Sequence, residues 1–149
     1  MPNNDLIVVG VDGSDGGRRA LQWAAQEAAS RGGTVQAVTA WRWDVPGGGL
    51  EGAGEEDPRQ RASDILEREV ASVGKVPVAC EVREGRPADV LVAAARDADL
   101  LVLGSRGHSR VWQAVLGSVT EECVRRATCP VVVIPVSQPA ARPPTPVPR

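Results

Sequence analysis

The 149-residue chain has no phenylalanine and no tyrosine, and only one histidine, one lysine and four tryptophans. An interior built without the two commonest aromatics must come from Val, Leu, Ile and Ala, small or branched residues that suit a buried sheet. Charge of one sign is lacking too: 17 basic residues stand against 19 acidic ones, for a formal charge of -2 and a pI near 5.5. That balance leaves no electrostatic footprint for DNA, RNA or a polybasic membrane contact, so neither nucleic acid nor membrane is expected as a partner. No apolar run approaches the roughly 20 residues of a spanning helix. The opening MPNNDLIVVG has neither a basic n-region nor a cleavage site, so a soluble cytoplasmic protein is expected. Cys80, Cys123 and Cys129 form no C-x-x-C pair, and their odd number argues against a disulfide framework. They read as reduced thiols, with Cys123 a small buried hydrophobe inside a helical pattern.

What is present is a regular alternation. Leu6 to Val11 is an almost continuous apolar run of strand length, which fits a central strand covered on both faces. A turn, Asp12 to Gly17, precedes apolar residues at helical spacing (Ala20, Leu21, Ala24, Ala25, Ala28), and Gly32-Gly33 closes that helix. A strand from Thr34 to Ala40 leads to a glycine-rich loop from Trp41 to Pro58, long enough to suggest a functional or mobile segment. There follow a helix from Pro58 to Val73 with Ala62, Ile65, Leu66 and Val70 as its buried stripe, a strand over Val78 to Val82, a helix over Ala88 to Ala98 and a strand over Leu100 to Leu103. After the irregular stretch Gly104 to Gly117 come a helix over Val119 to Ala127 and a strand over Val131 to Pro135. The predicted domain ends at Val136, and the Pro-rich remainder, residues 137–149, reads as a disordered tail. Strands alternating with helices predict an α/β fold, a parallel sheet with helices on both faces. Ligands of such sheets sit at the carboxyl ends of strands where strand order reverses, which directs attention to the loops after the first and fourth strands.

The fourth-strand loop carries G-x2-G-x9-G-S: Gly104, Ser105, Arg106, Gly107, nine residues beginning His108-Ser109, then Gly117 and Ser118. Glycines let a bulky anion approach the main-chain amides without meeting a Cβ, so Gly104 and Gly107 are expected to open a nest of N–H donors. Gly117 and Ser118 lead into a helix whose first amides are unpaired and whose dipole favours an anion. Ser118 and Glu121 also fit a capping box, in which the serine simply caps. Arg106 and Arg110 could screen phosphate charge or stay solvated. Asp12 could line a pocket or only stabilise its turn. Neither a G-x-G-x-x-G fingerprint nor a Walker motif occurs, and Lys75, the single lysine, sits elsewhere. Gly16-Gly17 is expected to weaken the first helix and loosen the entrance.

These residues resemble the ATP-binding branch of the universal stress protein family over about Asp5 to Val136: LIVVGVDGS, GSRG, LGSVTEE and CPVVVIP all have its look. The resemblance implies a five-stranded parallel, Rossmann-like sheet in the order 3-2-1-4-5. It further implies a nucleoside pocket lined by Gly10, Val11 and Asp12, with the backbone of Ala40 offered to adenine and Leu103 near the base or ribose. Gly104, Ser105, Arg106, Gly107, His108 and Ser109 would wrap the phosphates, and Gly117, Ser118 and Val119 would close the far side. ATP is the implied ligand, with Mg2+ or Mn2+ held largely by its phosphates, since no carboxylate pair is dedicated to an ion.

Three functions follow from these readings. The first is a regulatory ATP-binding protein in which occupancy orders the two glycine-bearing loops. The second is a slow ATP hydrolase or phosphotransferase using His108. The third is a structural dimer without nucleotide, for which the retained glycines are not expected. Val131 to Ile134 would lie at a sheet edge, where pairing with a second copy gives a homodimer unless the Pro-rich tail shields it.

Overall fold

A computed structural model of the chain describes residues 5–43, 57–74, 76–108 and 116–136. The elements within them are β1 (Leu6–Gly10), α1 (Asp15–Arg31), β2 (Thr34–Trp41), α2 (Pro58–Ala71), β3 (Val78–Glu84), α3 (Pro87–Ala94), β4 (Leu100–Gly104), α4 (Ser118–Arg126) and β5 (Val131–Ile134). All strand pairs are parallel and the order is β3-β2-β1-β4-β5. The strand order therefore reverses between β1 and β4, as expected. The 44–56 part of the glycine-rich loop, Lys75, residues 109–115 with Ser109 and Arg110, and the tail 137–149 lie outside the described residues.

Side-chain alternation divides the central strands between two apolar layers. Ile7 and Val9 of β1, Val35 and Ala37 of β2 and Val102 of β4 face α1 and the Leu66 side of α2. Val8, Val38, Leu101 and Leu103 point the other way, against Ala88, Val90 and Leu91 of α3 and Cys123 of α4. The buried face of α1 is Ala20, Leu21, Ala24, Ala25 and Ala28, nearly all alanine, which lets the helix lie close to the sheet without aromatic filler. Cys123 is fully buried, and burial pushes its thiol up to about 11. All three cysteines are free thiols.

Local chemistry sets the helix ends. Ser14 caps α1 by accepting the Gly17 N–H at 3.1 Å. At the other end Gly32 takes φ 72°, and Gly33 N–H reaches Ala28 O at 2.8 Å. In α2, Asp57 accepts the Arg59 N–H at 2.9 Å and Pro58 occupies the first turn, where no amide is missed.

Three expectations are corrected. The helix α3 stops at Ala94 rather than Ala98, because Asp99 is drawn into the sheet: its N–H donates to Leu6 O at 2.9 Å and its carboxylate accepts the Leu6 N–H at 2.8 Å. The capping box at Ser118 is not formed. Gly117 is the N-cap, with φ -69° and ψ 160°, its carbonyl accepts the Glu121 N–H at 2.9 Å, and no side chain caps α4. Ser118 therefore occupies the first helical position, one residue too far along for its hydroxyl to close the turn. Nor does Gly16-Gly17 loosen the entrance. Both glycines are buried, and a Cβ on Gly16 would strike the carbonyl oxygen of Arg106. These glycines let α1 dock on the loop after β4.

Candidate functional site

Two short loops meet at the carboxyl end of the sheet. In the loop after β1, Asp12 forms an Asx turn: its Oδ1 accepts the Ser14 N–H at 2.9 Å and also bonds the Ser14 hydroxyl. Gly13, at φ 83°, turns the chain into α1 beneath Ile65 of α2. The turn-stabilising role of Asp12 is thus realised, yet its side chain stays exposed. In the loop after β4, His108 is also exposed and lies across to Asp12, where its Nε2–H donates to the Asp12 carbonyl at 2.7 Å. A carbonyl only accepts, so Nε2 is the donor in this bond. That bond ties together the two loops that flank the strand-order reversal.

The three motif glycines have different tasks. A Cβ on Gly104 would lie 2.6–2.8 Å from the backbone of Gly16, so this residue serves the α1–β4 contact rather than an open nest. On Gly107 a Cβ would collide with Asp12 Oδ2, which makes this glycine the one that lets the loop pass the carboxylate. Gly117 packs on Arg106, its hypothetical Cβ 3.3 Å from Arg106 Cα, and its N–H donates to Ser105 O at 2.7 Å. The Gly117 amide is therefore spent, and the donors left at this tip are those of Ser118, Val119 and Thr120, which precede the first intrahelical bond of α4. Thr120 Oγ1–H donates to Gly104 O at 2.8 Å and pins the helix tip over the end of β4.

The remaining predicted residues take distinct places. Gly10 makes room for Leu103 and Leu91, whose methyls would stand 2.9 and 3.0 Å from a Cβ, and Leu103 is buried there. Val11 is buried in the opposite layer, its N–H donating to Val38 O at 2.9 Å. That bond fixes the side of β2 facing β1. Ala40, two residues further, turns its N–H and C=O the same way, past the last β1–β2 pair at Gly10 and Val38. Its backbone faces the crevice. Arg106 is buried, so it is not a solvated surface cation.

Sequence reasoning missed the third wall. A cavity of about 890 Å³ is lined by Asp12, Gly13 and His108 on one side and by Asp57, Gln60, Arg61, Asp64, Ile65 and Arg68 of α2 and its cap on the other. The i, i+3, i+4, i+7 spacing of these residues was legible as one helix face, but the 16 residues between β2 and α2 hid which loop that face meets. The volume is in the range of small-molecule sites, about 300–1,000 Å³. Among the described residues no group of three or more His, Cys, Asp or Glu side chains is arranged to hold a metal ion, and no helix is long and apolar enough to cross a membrane.

Comparison with known proteins matches the model of the universal stress protein family to residues 3–135. The chain belongs to the universal stress protein family. A universal stress protein of Mycobacterium bovis is 35% identical over 138 residues, covering 86% of this chain and 47% of that protein. The chain spans about half the length of the curated relatives it matches. Among solved structures, a universal stress protein in complex with cAMP has 29% identity and a TM-score of 0.64, covering 87% of this chain and 95% of the other. One from Archaeoglobus fulgidus in complex with dAMP has 28% identity and a TM-score of 0.61, covering 90% and 99%. The Rossmann-like sheet order expected from the family resemblance is the one observed.

Proposed function

We propose that this universal stress protein binds an adenine nucleotide, ATP foremost, where β1 and β4 end, and that occupancy rather than turnover is its regulatory output in a stress response. The carrying observation is the His108–Asp12 contact, which gathers the β1 and β4 loops beside the tip of α4. Two features fit the group, the unspent first-turn amides of α4 and the outward-facing backbone of Ala40, and the neighbouring cavity reaches the two loops at Asp12 and His108. Family members that hold cAMP and dAMP support the adenine moiety. In this reading Gly10, Val11, Asp12, Ala40 and Leu103 surround the nucleoside. Gly107, His108, Ser118 and Val119 meet the phosphates, with Ser105, Arg106 and Ser109 completing that loop, and Gly104 and Gly117 set its shape. Any Mg2+ or Mn2+ arrives on the phosphates.

The hydrolytic alternative gains nothing from His108, whose Nε2 is spent on a carbonyl, so that a base would have to be Nδ1. The protein acts in the cytoplasm in this reading, as a homodimer that pairs the half-buried edge strand Val131–Ile134. Calorimetric titration of the folded protein with ATP and ADP is the test. Gly117→Glu, which sets a carboxylate against the phosphates, should weaken binding at least tenfold. Absence of binding to wild-type protein, or undiminished binding to the variant, would contradict the assignment.

A further inference from the structure

Ser105 sits where the β4–β5 ladder ends, and its three polar groups go to three different places. Its N–H donates to Ile134 O at 2.8 Å, in line with the rung from Leu101 N–H to Pro130 O at 3.0 Å. In a parallel ladder the next rung would run from the Val136 N–H back to the Ser105 carbonyl. Instead, the Ser105 hydroxyl oxygen accepts the Val136 N–H at 3.0 Å, and the carbonyl accepts the Gly117 N–H at 2.7 Å. One residue earlier, Gly104 O accepts the Thr120 hydroxyl at 2.8 Å, so two successive carbonyls hold the first turn of α4. Val136 is itself fixed against α1, its Cγ2 lying 2.9 Å from where a Cβ on Gly16 would stand.

We propose that the Ser105 hydroxyl is a positioning group for phosphate binding: by taking the Val136 N–H it leaves the Ser105 carbonyl to Gly117, and so sets the distance between the two sets of phosphate-binding amides. This role rests on the nucleotide reading above. Gly107 and His108 follow Ser105 by two and three residues, and Ser118 and Val119 follow Gly117 directly, so the bond from Gly117 N–H to Ser105 O is the tie between the two donor groups. A half-buried N–H must have an acceptor. Without the hydroxyl, the Val136 N–H has the Ser105 carbonyl as its ladder acceptor and competes there with Gly117. The tip of α4 then loses its hold on the β4 loop, although both loops keep their sequence and their glycines.

Wild-type protein, Ser105→Ala and Ser105→Thr are compared in two measurements: hydrogen exchange of the Gly117 amide without ligand, and calorimetric titration with MgATP and with adenosine. Ser105→Ala should speed Gly117 exchange and weaken MgATP binding about fivefold, the worth of one hydrogen bond, while adenosine, which has no phosphates, binds as it does to the wild type. Ser105→Thr keeps a hydroxyl and should match the wild type in both. In a Val136→Pro background, where the competing N–H is gone, Ser105→Ala should change MgATP affinity by less than about twofold, whereas a hydroxyl bonded to the phosphate itself would cost the same in either background. Unchanged Gly117 exchange or MgATP affinity in Ser105→Ala, equal weakening of MgATP and adenosine, or an undiminished cost in the Val136→Pro background overturns this proposal and leaves nucleotide binding standing. A wild-type protein that binds neither ligand overturns the nucleotide reading and this proposal together.

Discussion

Gly104→Ala separates the fold from the site. Gly104 is not among the glycines with positive φ, so alanine can adopt its backbone conformation and the cost is purely one of space. The added Cβ would lie 2.6 Å from the carbonyl carbon of Gly16, 2.7 Å from its oxygen and 2.8 Å from its Cα. Comfortable carbon–carbon contact is about 3.5 Å, so α1 must lift from β4 by roughly 0.8 Å. Both partners are backbone, and no rotamer change relieves the clash. Overpacking of this kind costs about 1–3 kcal/mol, and the rigidity of the contact places this case near 3 kcal/mol. At about 2–4 °C per kcal/mol for a chain of this size, the melting midpoint should fall by about 6–12 °C. Urea unfolding should give a lower midpoint concentration with unchanged slope. Gly16→Ala should destabilise through the same contact and through the Arg106 carbonyl, and the double variant should cost less than the sum of the two. A Gly104→Ala protein within about 0.5 kcal/mol of wild type would refute the packing account of this glycine.

Other outcomes follow from the packing and the charges. Leu101→Ala, at a fully buried position in β4, should cost about 2–5 kcal/mol in urea unfolding. Arg126 holds the Asp89 and Glu122 carboxyls below their ordinary values, chiefly by hydrogen bonding. Carboxylates with depressed folded pKa values contribute stability above their unfolded values of 3.8 and 4.5 and lose it as pH falls through the folded ones. Arg126→Gln should therefore flatten the acid side of the stability–pH curve, and a variant that loses stability as steeply as wild type when pH falls below ~5 would count against the pairing. Of the three thiols, Cys80 should react first with a thiol reagent at neutral pH, and Cys123, buried and shifted up to about 11, only on unfolding.

Much of the architecture was legible because it is local. The apolar runs at Leu6, Val35, Leu100 and Val131 and the alanine stripe of α1 are short-range patterns that burial on both faces imposes. Two features were not legible, because each depends on a contact distant in sequence. Gly16 meets the Arg106 carbonyl and Gly104 across 88–90 residues, so the pair Gly16-Gly17 reads as a weak helix start when it is a docking surface. Ile65 reads as part of the buried stripe of α2, and only the fold sets it against Gly13, where the cavity opens between them. Ser118 failed for a subtler reason. S-x-x-E fits a capping box, but the extended Gly117 caps first and moves the serine into the helix.

The central claim is that free main-chain N–H groups beyond β4 and at the tip of α4 hold the phosphates. Amide NMR during a titration with MgATP tests it most directly. The account predicts the largest shifts at Gly107, His108, Ser118 and Val119, with smaller ones at Ala40 and Asp12. Saturable binding that leaves Ser118 and Val119 unmoved would contradict it.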